Sequence, residues 1–228
     1  LSFAGRITFE RACELAEKLF VPFVSSKKSD KLSAGETENT KGRIKIEKNI
    51  EQIHLALAFK GVEYDAPSAD AMSVVNNVLG SGMSSRLFQK IREEMGLCYT
   101  VYSYPSCYRF TGTFAVYAGV NPKSAEKAYS EIKKVLDDFK SGGITDTEFE
   151  RGKAQMISSF AFGQESTASQ MLLYGRYLMN TDKVFDMDKK LASVVSLKKD
   201  EVNNLISELD FSSYSASIVG KNIKNINL

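Results

Sequence analysis

A chain of 228 residues, 43% of them hydrophobic, is long enough for one large or two small domains with an ample core. Its 30 basic and 28 acidic residues are interspersed and leave a net charge of +2. No basic block therefore points to nucleic acid, and no apolar run is long enough to span a bilayer. Three cysteines, Cys13, Cys98 and Cys107, lack metal-type spacing. Their odd number argues against a disulfide framework and for a reducing compartment, so a cytoplasmic location is expected.

Taken in order, residues 1–5 read as a short strand ending in Gly5. Thr8 then caps a helix in which Ala12, Leu15, Ala16, Leu19 and Phe20 share a face, and Pro22 stops it. Residues 25–42 are polar almost throughout and read as an exposed linker. The linker is long for a loop inside one compact domain, so a boundary is placed there. Residues 43–47 alternate Ile44 and Ile46 with charged neighbours, as a half-buried strand does. Residues 52–59, with His54, Leu55, Leu57 and Phe59, form a more buried strand, and the two are expected to pair as a hairpin. Pro67 begins a helix to about Leu79, with Ala71, Val74, Val75 and Val78 inward.

The stretch from Gly80 to Tyr99 organises the rest. Gly80 and Gly82 permit a tight reversal, and Ser84 or Ser85 can cap the helix that follows. Leu87, Phe88, Ile91 and Met95 make its apolar face, and Arg86 reads as an exposed cation near its start. Gly96 is the expected left-handed residue past the helix end, and a Tyr-, Val- and Thr-rich strand follows. Arg92 then lies in the last helical turn and Tyr99 near the strand start, so a guanidinium and a phenol converge. One reading is bland: Arg92 favours the negative helix terminus and Tyr99 is half-buried sheet surface. The other makes them fixed donors aimed at a substrate carbonyl or oxyanion.

Residues 110–120 return as the second strand of a hairpin. Asn121 caps a helix with Pro122 at its first position and a stripe of Ala125, Ala128, Tyr129, Ile132, Val135, Leu136 and Phe139. Thr145 and Glu148 have capping-box spacing for a helix that runs to about Asn180, bent near Gly163. Helices follow over 183–195 and 198–209, the second capped by Ser196, and 214–220 is a last strand. Two hairpins separated and followed by helices predict an α+β fold, an antiparallel β-sheet with helices packed on one face. Tyr102, Tyr104, Tyr108 and Tyr117 either line a peptide groove or pack on the sheet. Gly80-Ser81-Gly82 lacks the Gly-Lys-Ser/Thr ending of a phosphate loop, and His54, the single histidine, has no Ser or Cys partner suggested by spacing.

The run LGSGMSSRLFQKIREEMGLCYTVYS, followed by TGTFAVYAGVNP, resembles the signature of the second half of pitrilysin-like (inverzincin) zinc metallopeptidases. That pattern is a glycine-rich turn, Ser-Ser-Arg-Leu, an Arg-Glu pair and Gly-Leu-x-Tyr; here Ser81 stands where many members have a third glycine. The likeness covers the chain in outline and is sharpest over residues 52–122. It implies a fold of the LuxS/processing-peptidase type. Residues 1–25 would be the closing strand and helix of a first half, 26–42 a linker, and 43–228 the second-half peptidase domain. The zinc motif of the family, H-x-x-E-H, cannot be present with one histidine, so zinc is expected in the full-length enzyme and none in this chain. Gln52 and His54 match a Gln-x-His of many relatives and read as structure. Arg92 and Tyr99 would be the catalytic and substrate-binding residues, holding a peptide substrate beside the zinc of the N-terminal half. The implied assembly is a homodimer or heterodimer, with no nucleic acid and no membrane. The alternative is a non-catalytic partner subunit or scaffold of the same family.

Overall fold

The computed structural model describes residues 1–23, 41–223 and 226. Most of the expected linker, residues 26–40, lies outside the described residues.

Thr8 accepts from the Arg11 N–H and starts α1 (Phe9–Phe20), as its spacing predicts. No α1 residue is buried, and Phe9 and Phe23 are 80% and 82% exposed. Residues 1–5 are not a strand, because no described strand pairs with them. Instead the Ser2 hydroxyl donates to the Met171 carbonyl at 2.8 Å.

Five strands make one sheet in the order β1-β5-β2-β4-β3. They are β1 (Arg43–Glu47), β2 (Ile53–Lys60), β3 (Cys98–Cys107), β4 (Gly112–Val120) and β5 (Tyr214–Gly220). The expected hairpin of β1 and β2 does not form. β5 lies between them, parallel to β1 and antiparallel to β2. Tyr214, Ala216 and Ile218 of β5 are all buried, whereas β1 carries Arg43, Lys45 and Glu47 and is exposed throughout. The more apolar strand takes the interior position and the charged one the edge, where charge discourages further pairing. The β3–β4 hairpin forms as expected.

Seven helices include α1 among the described residues; the others are α2 (Ala69–Leu79), α3 (Ala125–Gly142), α4 (Asp146–Glu165), α5 (Thr167–Thr181), α6 (Met187–Ser196) and α7 (Lys199–Glu208). The α3 stripe is buried at every expected position. It shares one core with Leu55, Leu57 and Phe59 of β2 and with Val74, Val75 and Val78 of α2. The α+β layout with helices on one sheet face therefore holds, with β1–β5 as its one parallel pair. The long helix expected to Asn180 breaks at Ser166, whose extended backbone ends α4 and whose hydroxyl accepts from Ser169 N–H to cap α5. Ser196 does not cap α7: its hydroxyl donates to Ser193, and Glu201 accepts the Lys198 N–H. Among the described residues, no helix is long and apolar enough to cross a membrane.

Gly80 ends α2 directly against the β3 edge. Its carbonyl accepts the Ser103 N–H at 3.2 Å, and Pro105 further along that edge has no N–H to offer. A Cβ on Gly80 would stand 2.3 Å from Ser103 N and 2.4 Å from its Oγ, which donates to Asn76. Gly80→Ala is therefore expected to destabilise the fold by about 1–3 kcal/mol, as overpacking does. It should read as a lower urea midpoint at unchanged slope.

Candidate functional site

The segment after Gly80 forms a π-helix, Phe88–Glu94, in which the Met95 N–H reaches back to the Lys90 carbonyl at 3.2 Å. Such wider turns cluster at functional sites. Leu87 and Ile91 are fully buried, while Phe88 and Met95 are half-buried. Neither serine caps this helix: the buried Ser85 hydroxyl donates to the Gly82 carbonyl at 2.7 Å. Gly96 has φ +61°, the left-handed value expected past the helix end.

The strand then begins with a bulge. Cys98 pairs with Val120 and Thr100 with Gly119, which leaves Tyr99 as the extra residue. A bulge turns a side chain out of the regular pleat. Tyr99 is 71% exposed, and the Arg92 guanidinium carbon lies 5.5 Å from its ring centroid. The expected convergence of Arg92 and Tyr99 is thus present, in the last helical turn and the first strand residues. Arg92 also lies 4.7 Å from the Phe88 ring centroid. Among the described residues, the carboxylate in ion-pair range of Arg92 is that of Glu93, Nε to Oε1 3.9 Å, a long and loose contact. Both donors therefore face solvent with hydrogen-bonding capacity to give.

Burial pushes the Cys98 thiol up to about 11, and the nearby Arg92 charge only partly opposes this. The thiol stays protonated at neutral pH and is a poor nucleophile. Beside Tyr99 a cavity of about 310 Å³ opens, lined by Glu51, Gln52, Gly119 and Asn121 among others.

Other sequence candidates fall elsewhere. His54 sits on the sheet face opposite the helices, its Nδ1 2.5 Å from the Tyr117 hydroxyl. Tyr102 and Tyr117 stack on that same open face at 5.0 Å, with Tyr104 beside Tyr102. Tyr108 lies in the turn between β3 and β4. Among the described residues, no three His, Cys, Asp or Glu side chains group so as to hold a metal ion, so these residues do not fit a zinc ion.

Arg86 is not a free surface cation. Its Nε and Nη2 reach both Glu148 oxygens at 2.7 and 2.8 Å, and Nη2 also donates to the Gly143 carbonyl. Sequence spacing missed this because the partners are 62 residues apart. It also missed the Phe88 contact, although Phe88 stands four residues before Arg92, a helical neighbour spacing.

The profile described as Peptidase M16 inactive domain matches residues 1–156. The protein named Uncharacterized zinc protease YmxG of Bacillus subtilis (strain 168) is 33% identical over 219 residues, 96% of this chain and 53% of the relative. Uncharacterized zinc protease SCO5738 of Streptomyces coelicolor is 34% identical over 185 residues, 81% of this chain and 40% of the relative. The chain thus spans about half the length of the curated relatives it matches. The crystal structure of a peptidase M16 inactive domain from Pseudomonas fluorescens aligns with TM-score 0.82 at 21% identity, over 96% of this chain and 52% of that one. A chain of complex III2 from Candida albicans aligns with TM-score 0.81 at 14% identity, over 98% and 55%. The chain belongs to the peptidase M16 family, in which it matches the inactive domain.

Proposed function

We propose that this chain is the non-zinc half of a zinc-dependent metalloendopeptidase. It closes a peptide-binding chamber against an N-terminal half that carries the metal, and it gives Arg92 and Tyr99 to the substrate. The observation that carries the reading is their pairing: two donors, side by side, open to solvent and held by no short ion pair. A guanidinium and a phenol so placed donate to a peptide carbonyl, and more strongly to the oxyanion it becomes. The names of the relatives, zinc proteases about twice as long, agree with such a division of labour. The exposed apolar residues of α1 suit docking on that other half, since a bare apolar patch marks an interface. The whole would be a homodimer or a heterodimer.

A second reading, a non-catalytic partner subunit or scaffold, draws on the same fold in the complex III2 chain. The open Arg92–Tyr99 pair favours the first. The test compares two samples. The full-length protein should cleave a fluorogenic peptide and lose that activity to a chelator. The isolated chain should hold no stoichiometric zinc after dialysis and cleave nothing. One tightly held equivalent of zinc on the isolated chain overturns the assignment, and an inactive full-length protein favours the scaffold.

A further inference from the structure

We infer that Phe88 is a positioning residue for Arg92, forming with Tyr99 an aromatic clamp that fixes the guanidinium where a peptide backbone meets it. This rests on the reading of Arg92 as a substrate-binding group. The guanidinium lies within reach of two rings, 4.7 Å from the Phe88 centroid and 5.5 Å from that of Tyr99. Its only carboxylate in range among the described residues is the loose one of Glu93. An arginine side chain at the surface otherwise carries much rotamer freedom, and ordering it on substrate binding costs affinity. Guanidinium planes stack well on aromatic faces, and such contacts leave the N–H edge free to donate. A carboxylate partner would hold the same side chain but occupy those donors. Two ring contacts therefore orient Arg92 without consuming what it has to offer.

Both rings reach Arg92 through local irregularities. Phe88 and Arg92 stand at the start and near the end of the π-helix. Tyr99 is the extra residue of the bulge that follows Gly96. Phe88 is half-buried, and its neighbours Leu87 and Ile91 are fully buried and hold the backbone that carries it. The clamp has one half-buried jaw, Phe88, and one exposed jaw, Tyr99, whose hydroxyl is itself a donor. Phe88 touches no reacting atom in this arrangement; it acts through Arg92.

The test uses the full-length protein and a fluorogenic peptide. Phe88→Leu keeps an apolar side chain and removes the ring. It is expected to lower kcat/KM by roughly ten- to hundredfold, through lost stacking and a misplaced donor. Phe88→Tyr keeps the ring and should restore most of the rate. The deciding comparison is made in an Arg92→Ala background, where Phe88→Leu should cause no further loss. A merely structural role predicts the opposite: the two losses multiply, and the ring-bearing Phe88→Tyr gives no rescue. Either result overturns the inference. If Phe88→Leu unfolds, Phe88→Met, which also removes the ring, is put through the same comparison with and without Arg92→Ala. An Arg92→Ala variant with unchanged kcat/KM would remove the reading of Arg92 itself, which separates that failure from a failure of the clamp.

Discussion

Tyr99→Phe in the full-length protein is expected to lower kcat/KM by about 10²–10³, with zinc content and unfolding midpoint unchanged. That range, roughly 3–4 kcal/mol, is what one preorganised donor to an oxyanion contributes. The substitution deletes only the hydroxyl and keeps the ring that lies against Arg92. Tyr99 is largely exposed and occupies a bulge, so no packing or ladder hydrogen bond is lost with its oxygen. Arg92→Ala should show a loss of similar order, and Arg92→Lys should not rescue it, because an ammonium lacks the planar fork of donors. If the pair acts only as helix-end charge and sheet surface, both variants keep nearly full activity. The control for positive charge is Lys90→Ala: Lys90 is exposed and pairs with Glu94 one turn along the same helix. Full activity in Tyr99→Phe together with a loss in Lys90→Ala would end the assignment.

Several elements were legible because their signals are local. Thr8, the α3 stripe and the Thr145–Glu148 box each act within a few residues, and each appears where its spacing places it. The nearness of Arg92 to Tyr99 was legible for the same reason, since Gly96 folds two adjacent elements onto each other. What escaped depends on distant sequence. β5 separates β1 from β2 although some 170 residues lie between the paired Ile44 and Ser217, and no local pattern encodes that insertion. The half-burial expected for Ile44 and Ile46 fails with it: as edge residues they are 57% and 52% exposed. The π-turn and the Tyr99 bulge are register defects of one residue, and hydrophobic periodicity does not resolve them. Residues 1–5 have a strand's composition but no described strand to pair with, and composition alone does not make a strand.

Arg86→Ala is expected to destabilise the chain by about 1.5–3 kcal/mol, although its position near the helix start suggests an ordinary surface cation. Its guanidinium binds Glu148 through two nitrogens and lies over the Phe139 ring at 5.0 Å. The Glu148 side chain is only 15% exposed, so removing Arg86 leaves a part-buried carboxylate with Thr145 alone, among the described residues, to satisfy it. Burial by itself would raise the Glu148 pKa, but hydrogen bonds from Arg86 and Thr145 outweigh it and hold it at about 2, against an ordinary 4.5. The sign of the pH effect follows from that depression. The stabilisation is fully present above about pH 4.5 and is lost as pH falls toward 2, to a total of about 3 kcal/mol. Urea midpoints measured from pH 6 down to pH 2 should fall steeply for the natural chain. In Glu148→Gln, which cannot ionise, that part of the fall should vanish. Arg86→Ala and Glu148→Ala combined should cost less than the sum of the single changes, because the second removes the charge that the first leaves unpaired. Additive losses, or an acid profile that Glu148→Gln leaves unaltered, would show that the Arg86–Glu148 tie between the glycine turn and the start of α4 carries little of the fold's stability.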